Sequence, residues 1–167
     1  MKKISLFCLS LLTIGLTSCK NNEDKKELLK KAAEEAITST SCFQAIYDHD
    51  TLDLKLNTLK NGKINGDMVM NIANHQKKIG EIAGEYRGDT LFASYTFTLE
   101  KKPEITFKNP MAFLKRNDTL VLGNGKIETS MGASYFAKGS PIDFDRVKYK
   151  FTAINCPDST LTTKPNN

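Results

Sequence analysis

From Cys42 onward the apolar side chains fall on every second residue, and that period of two confines the chain to half-buried antiparallel strands. Leu52, Leu54 and Leu56 alternate with Asp53, Lys55 and Asn57. Ile64, Met68, Met70 and Ile72 share a face interrupted only by Gly66, and Leu91, Ala93, Tyr95, Phe97 and Leu99 share another. Turn-forming clusters separate the runs: Asp48-His49-Asp50, Lys60-Asn61-Gly62, Arg87-Gly88-Asp89, Arg116-Asn117-Asp118 and Lys138-Gly139-Ser140-Pro141. Further strands are expected over Gly80–Tyr86, Glu104–Phe113, Thr119–Glu128, Ala133–Phe136 and Val147–Ile154. About eight strands with short connections make an all-β antiparallel meander. Its two end strands would be sticky edges unless the sheet closed on itself, so a small barrel over residues 42–156 is the expected fold.

The N-terminus carries a different message. Lys2 and Lys3 precede an apolar run, Ile4 to Leu16, broken only by Ser5, Ser10, Thr13 and Gly15. At about 13 residues the run suits the apolar core of a signal peptide, whereas a bilayer-spanning helix needs roughly 20. Leu16-Thr17-Ser18-Cys19 follows, and it resembles the processing and lipidation site of bacterial lipoproteins: leucine, a small or β-branched residue, a small residue, then cysteine. The resemblance implies that residues 1–18 are a removable signal peptide and that Cys19 becomes an N-terminus acylated with palmitate-type chains. Two or more such chains anchor a protein stably in the lipid bilayer. The alternative is an ordinary secretory signal in which Cys19 is incidental. Lys20-Asn21-Asn22-Glu23-Asp24 loosely resembles the lysine-plus-acidic export signals of Bacteroidota surface lipoproteins, and no aspartate directly follows Cys19. Outer-membrane placement is expected, on either the cell-surface or the periplasmic face.

Residues 19–41 read as the lipidated N-terminus and a tether. Glu23 to Ile37 is rich in helix formers, with a thin apolar stripe through Leu28, Leu29, Ala32, Ala36 and Ile37, and Thr38-Ser39-Thr40-Ser41 breaks it. Residues 157–167 are expected to be a disordered tail. Loss of the signal peptide takes Lys2 and Lys3 from the 24 basic side chains and leaves 22 against 19 acids, a net charge of +3. Charges this balanced and interspersed argue against a nucleic-acid partner, and the length suits one domain. A monomer is expected.

Of the four cysteines, Cys8 would leave with the signal and Cys19 would carry lipid, so Cys42 and Cys156 remain at the two ends of the β domain. In a barrel of eight strands the first and last are neighbours. A disulfide between Cys42 and Cys156 would pin that seam, and an envelope compartment permits it.

Asp50-Thr51-Leu52, Asp89-Thr90-Leu91 and Asp118-Thr119-Leu120 each open a strand after a turn, and Asp158-Ser159-Thr160 is a variant in the tail. The structural reading is an aspartate that closes its own turn, followed by a β-branched strand former. The phrase also resembles the O-glycosylation acceptor of Bacteroidota secreted proteins, which would make Thr51, Thr90, Thr119 and Ser159 candidate sites. The histidines, His49 and His75, lack the spacing of a zinc site, and Asp48-His49-Asp50 reads as a solvated turn, so no metal and no cofactor is expected. No nucleophile elbow, phosphate loop or dinucleotide motif occurs, and the reading is of a protein that is not an enzyme.

What remains is the barrel interior, where small residues alternate with aromatics: Ile82, Gly84 and Tyr86 on one strand, Ala93, Tyr95 and Phe97 on the next. Such a barrel is either filled or holds one small apolar ligand. The layout of signal, lipidated cysteine, tether and small barrel resembles envelope lipoproteins of Bacteroidota and, more distantly, lipocalin-like lipoproteins. It implies an anchored module that docks an envelope protein or glycan, with carriage of a small hydrophobic molecule as the alternative.

Overall fold

The computed structural model describes residues 20–157. Helix α1 (Lys20–Glu34) is followed by β1 (Ile37–Tyr47), β2 (Asp50–Leu59), β3 (Lys63–Asn71), β4 (Lys78–Arg87), β5 (Thr90–Leu99), β6 (Lys102–Arg116), β7 (Thr119–Leu122), β8 (Ile127–Ser130), β9 (Ala133–Phe136) and β10 (Lys150–Ile154). In α1, Leu28 and Leu29 are exposed, so local propensity and charge order sustain the helix, with Lys31 in the last turn where the helix dipole favours a cation. The helix stops three residues earlier than its sequence pattern. Ile37 already belongs to β1, and Thr38-Ser39-Thr40-Ser41 is strand, paired with Asn57 and its neighbours on β2.

Eight strands close into an antiparallel barrel in the order β1-β2-β3-β4-β5-β6-β7-β10, with β10 returning to β1. The alternation of the sequence is the alternation of the wall. Leu52, Leu54 and Leu56 of β2 point inward and are buried, and their neighbours across the ladder, Met70 and Met68, do the same. The connections β1–β2, β4–β5 and β6–β7 are two-residue turns whose first residue (Asp48, Gly88, Asn117) has positive φ, the geometry that matches the twist of hairpin strands. The seam is short: Cys42, Phe43 and Gln44 face Ile154, Ala153 and Thr152. The expected disulfide is present beside it, joining Cys42 to Cys156 with Cα atoms 5.1 Å apart.

Two glycines let the wall bend. A Cβ at Gly80 would overlap the Thr96 carbonyl oxygen, and one at Gly84 would overlap that of Phe92, so β4 lies against the inner face of β5 more closely than any side chain permits. The space enclosed is filled. Tyr95, Phe113, Phe151 and Met68 are fully buried, the Tyr95 ring stacks on Phe97 with centroids 4.8 Å apart, and Phe113 meets Phe151 edge-on at 5.8 Å. The Tyr95 hydroxyl donates to the Met68 carbonyl at 3.0 Å, which satisfies this buried group; burial raises its pKa.

The structure revises the C-terminal third. Thr119 to Glu128 is not one strand: β7 ends at Leu122, and the chain leaves the barrel after Gly123, where a Cβ would overlap the Ile142 and Phe144 side chains. Strands β8 and β9 pair only with each other. The flap they form packs against β6, and Ala112 of β6, Val121 of β7 and Ala137 after β9 are all buried. The eighth stave is thus β10, after an excursion of 27 residues rather than a short turn.

Candidate functional site

Strand direction gives the barrel two ends. The start of β1, the β4–β5 and β6–β7 turns and the end of β10 gather at one end, where an open cup of about 870 Å³ lies. Its apolar surface comes from inward residues just above the packed core: Phe43, Leu56, Ile64 and Leu120, with Tyr86 half-exposed on the wall. Partial burial raises the Tyr86 pKa. The rim is polar, carrying Lys115, Asp89, Asn117, Asp118 and Thr119. The Lys115 amide donates to the Asp89 carbonyl at 2.8 Å, tying the β6–β7 hairpin to the β4–β5 turn. The disulfide sits on the same rim and fixes its remaining side. An apolar floor beneath a rim of both charge signs suits an amphiphilic group or a polar loop with one apolar residue; it offers no aligned nucleophile and base.

The opposite end is closed by a polar clasp. The Asp50 carboxylate, nearly buried, accepts from the Tyr149 hydroxyl at 2.7 Å and from the Ala73 amide at 2.8 Å. It joins the β1–β2 hairpin, the segment after β3 and the approach to β10. The Tyr149 bond, then the Ala73 bond, hold Asp50 below its ordinary pKa of 3.8. Burial, followed by the same carboxylate, pushes Tyr149 up to about 12. Tyr47 meets Tyr149 edge-on at 6.3 Å, and the Lys148 ammonium lies 5.6 Å from the Tyr47 ring. Asp50 therefore does not close its own turn as the sequence suggests. Its partners are distant in sequence, and only the repeated Asp-Thr-Leu phrase marked it.

The other sequence candidates divide. Cys42 and Cys156 are joined. Thr51, Thr90 and Thr119 are half-buried in paired strands, at the closed end for Thr51 and at the cup end for Thr90 and Thr119. Cys19 and Ser159 lie outside the described residues. His49 and Asp48 approach to 3.8 Å, both largely exposed, while His75 lies in a polar groove of about 510 Å³ with Asn71, Lys77 and Glu100. Among the described residues no cluster of three or more histidine, cysteine or acidic side chains is placed to hold a metal. Comparison with protein-family models, curated proteins and solved structures returns no match.

Proposed function

We propose that the protein is a lipid-anchored envelope lipoprotein whose barrel is a docking module, taking a protein or glycan partner at the cup. The observation that carries this reading is where the free space lies. The middle of the barrel is filled by Tyr95, Phe97, Phe113 and Phe151, and the cup of mixed polarity at one rim is larger than the wholly polar groove around His75 at the other. A carrier that shields an apolar molecule needs an enclosed apolar chamber, whereas a docking surface needs a shaped, partly polar concavity with a rigid border. The disulfide and the Lys115–Asp89 link supply that border. The lipobox Leu16-Thr17-Ser18-Cys19 supports the anchor. The apolar floor of Phe43, Leu56 and Leu120 favours, as a second reading, carriage of a small amphiphile.

Co-purification from native membranes tests the site. Wild-type protein is expected to retain a partner that the Tyr86→Ala/Asp118→Ala variant loses, both side chains being partly exposed and on the cup. Equal recovery from the two proteins overturns the cup as the docking site, and a stoichiometric amphiphile in the organic extract of natively purified protein assigns the cup to carriage. The anchor is tested separately. Cys19→Ser is expected to abolish labelled palmitate incorporation and move the protein to the soluble fraction, and a variant that stays acylated and membrane-bound overturns the lipoprotein reading.

A further inference from the structure

Strand β6 outruns its partner on one side. Its ladder with β5 keeps one register from Leu114 to Thr106, while its ladder with β7 covers only Phe113 to Arg116, extended by one bond from the Gly123 amide to the Ala112 carbonyl at 2.8 Å. That bond fixes the phase of the strand: Ala112 aims its backbone at the β7 side, so Pro110, Lys108 and Thr106 do too. Pro110 has no N–H to offer. Among the described residues the outward backbone groups of Thr106 and Lys108 have no backbone partner, and residues 102–108 are exposed throughout. Ile105 and Phe107 remain 42% and 38% exposed beside this edge, although Phe107 stacks on Phe97 at 5.4 Å.

We propose that this edge pairs with the same edge of a second copy of the chain, making a two-fold dimer through β6. The segment Glu104-Ile105-Thr106-Phe107-Lys108 is complementary to itself when reversed. With Thr106 on the two-fold axis, each Glu104 faces Lys108 of the other copy on the outer face, and each Ile105 faces Phe107 on the inner face. Thr106 meets its own counterpart with both backbone groups aimed across the gap, which is the arrangement of a hydrogen-bonded antiparallel pair. Opposite charges and apolar residues placed directly across a ladder stabilise it, and an isologous contact requires this self-complementarity. An unrelated acidic or basic peptide would meet one wrong charge, from Lys108 or Glu104. Pro103 and Pro110 flank the segment and limit the pairing to it, so the edge does not template an open-ended sheet. The proposal is independent of the cup and replaces the monomer expected from the sequence.

The test uses the full chain with a single added cysteine. A hydrogen-bonded antiparallel pair holds its Cα atoms about 5.5 Å apart, inside the range a disulfide accepts. Thr106→Cys is therefore expected to form a covalent dimer under mild oxidation in at least about tenfold higher yield than Thr96→Cys, an exposed position on β5 away from the edge. Glu104→Lys, which sets lysine against Lys108, is expected to lower the yield of Thr106→Cys by a similar factor, and Glu104→Lys/Lys108→Glu to restore it. Equal cross-linking at the two cysteine positions, or failure of the charge exchange to restore the yield, overturns the proposal. So does capture of a different protein at Thr106→Cys in native membranes in place of a dimer; that result assigns the edge to that partner by strand addition.

Discussion

Loss of the Cys42–Cys156 bridge should produce a large, cleanly interpretable fall in stability. The bridge closes a loop of 114 residues, nearly the whole β domain, because it joins the first strand to the segment just after the last. In the chain-entropy treatment such a loop removes about 16 cal/mol/K from the denatured chain, or about 4.8 kcal/mol at 25 °C. For a domain spanning Ile37–Ile154, about 2.1 cal/mol/K per residue gives an unfolding entropy of about 250 cal/mol/K. The expected drop in Tm for Cys42→Ala/Cys156→Ala is therefore about 19 °C, and a compact denatured chain makes it smaller. The folded barrel should be unchanged, because the backbone pairs of Cys42, Phe43 and Gln44 with β10 do not need the sulfur. Thermal unfolding followed by far-ultraviolet circular dichroism, on the double variant and on reduced wild type with both thiols titrated, checks both halves. A fall of less than about 5 °C in both proteins would refute the loop-entropy argument. Loss of β signal at 25 °C would show instead that three residue pairs cannot hold the seam.

Two further perturbations probe the wall and the closed end. Gly80→Ala places a Cβ on the Thr96 carbonyl oxygen and the Phe97 α-carbon, which no rotamer change relieves, so urea unfolding should show a loss of about 3 kcal/mol or more; a loss under about 1 kcal/mol would mean that β4 does not lie so close to β5. The Asp50 clasp should give an acid-sensitive contribution: because folding lowers its pKa, the stabilisation is present above the ordinary value of 3.8 and is lost as pH falls through the lower folded value. The Tm difference between wild type and Asp50→Asn should shrink over that acid range and stay flat from pH 5 to 8, and a difference that changed instead near neutrality would point to another group.

The barrel was legible because its wall repeats a local rule. Leu52-Asp53-Leu54-Lys55-Leu56 states which face is buried without reference to any other strand, and two cysteines at the ends of the pattern state how it closes. What escaped was set by long-range geometry. Nothing near Asp50 announces Tyr149, 99 residues away, so a carboxylate that ties three segments together looked like a turn former. The flap was misread because Thr119 to Glu128 keeps a strand-like composition, and only the lack of room for a Cβ at Gly123, beside Ile142 and Phe144, shows where the chain leaves the wall. The first strand reaches back to Ile37 because β2 extends far enough to pair Thr40 and Ser41, overriding the helix-breaking reading of those residues. Of the alternating small and aromatic residues only Tyr86 lines the cup, since a cavity is defined by residues from many strands at once.

Closure by the first and last strands also sets a clock. The end of β1 and the start of β10 are separated by 103 residues, from Tyr47 to Lys150, all of which must emerge into the folding compartment before the ring can close. Hairpins form in microseconds, so β1 to β7 can assemble as each emerges, yet the ring stays open throughout that interval. During it, β1 and β7 each present a bare edge that only β10 will cover. Upstream of the seam, β1 carries Thr38-Ser39-Thr40-Ser41, a run without a large apolar side chain that β10 does not reach, and its hydroxyls make this bare stretch a poor template for aggregation. The hydroxyl-rich start of β1 thus keeps the part of the first strand that the last one leaves bare from recruiting other chains.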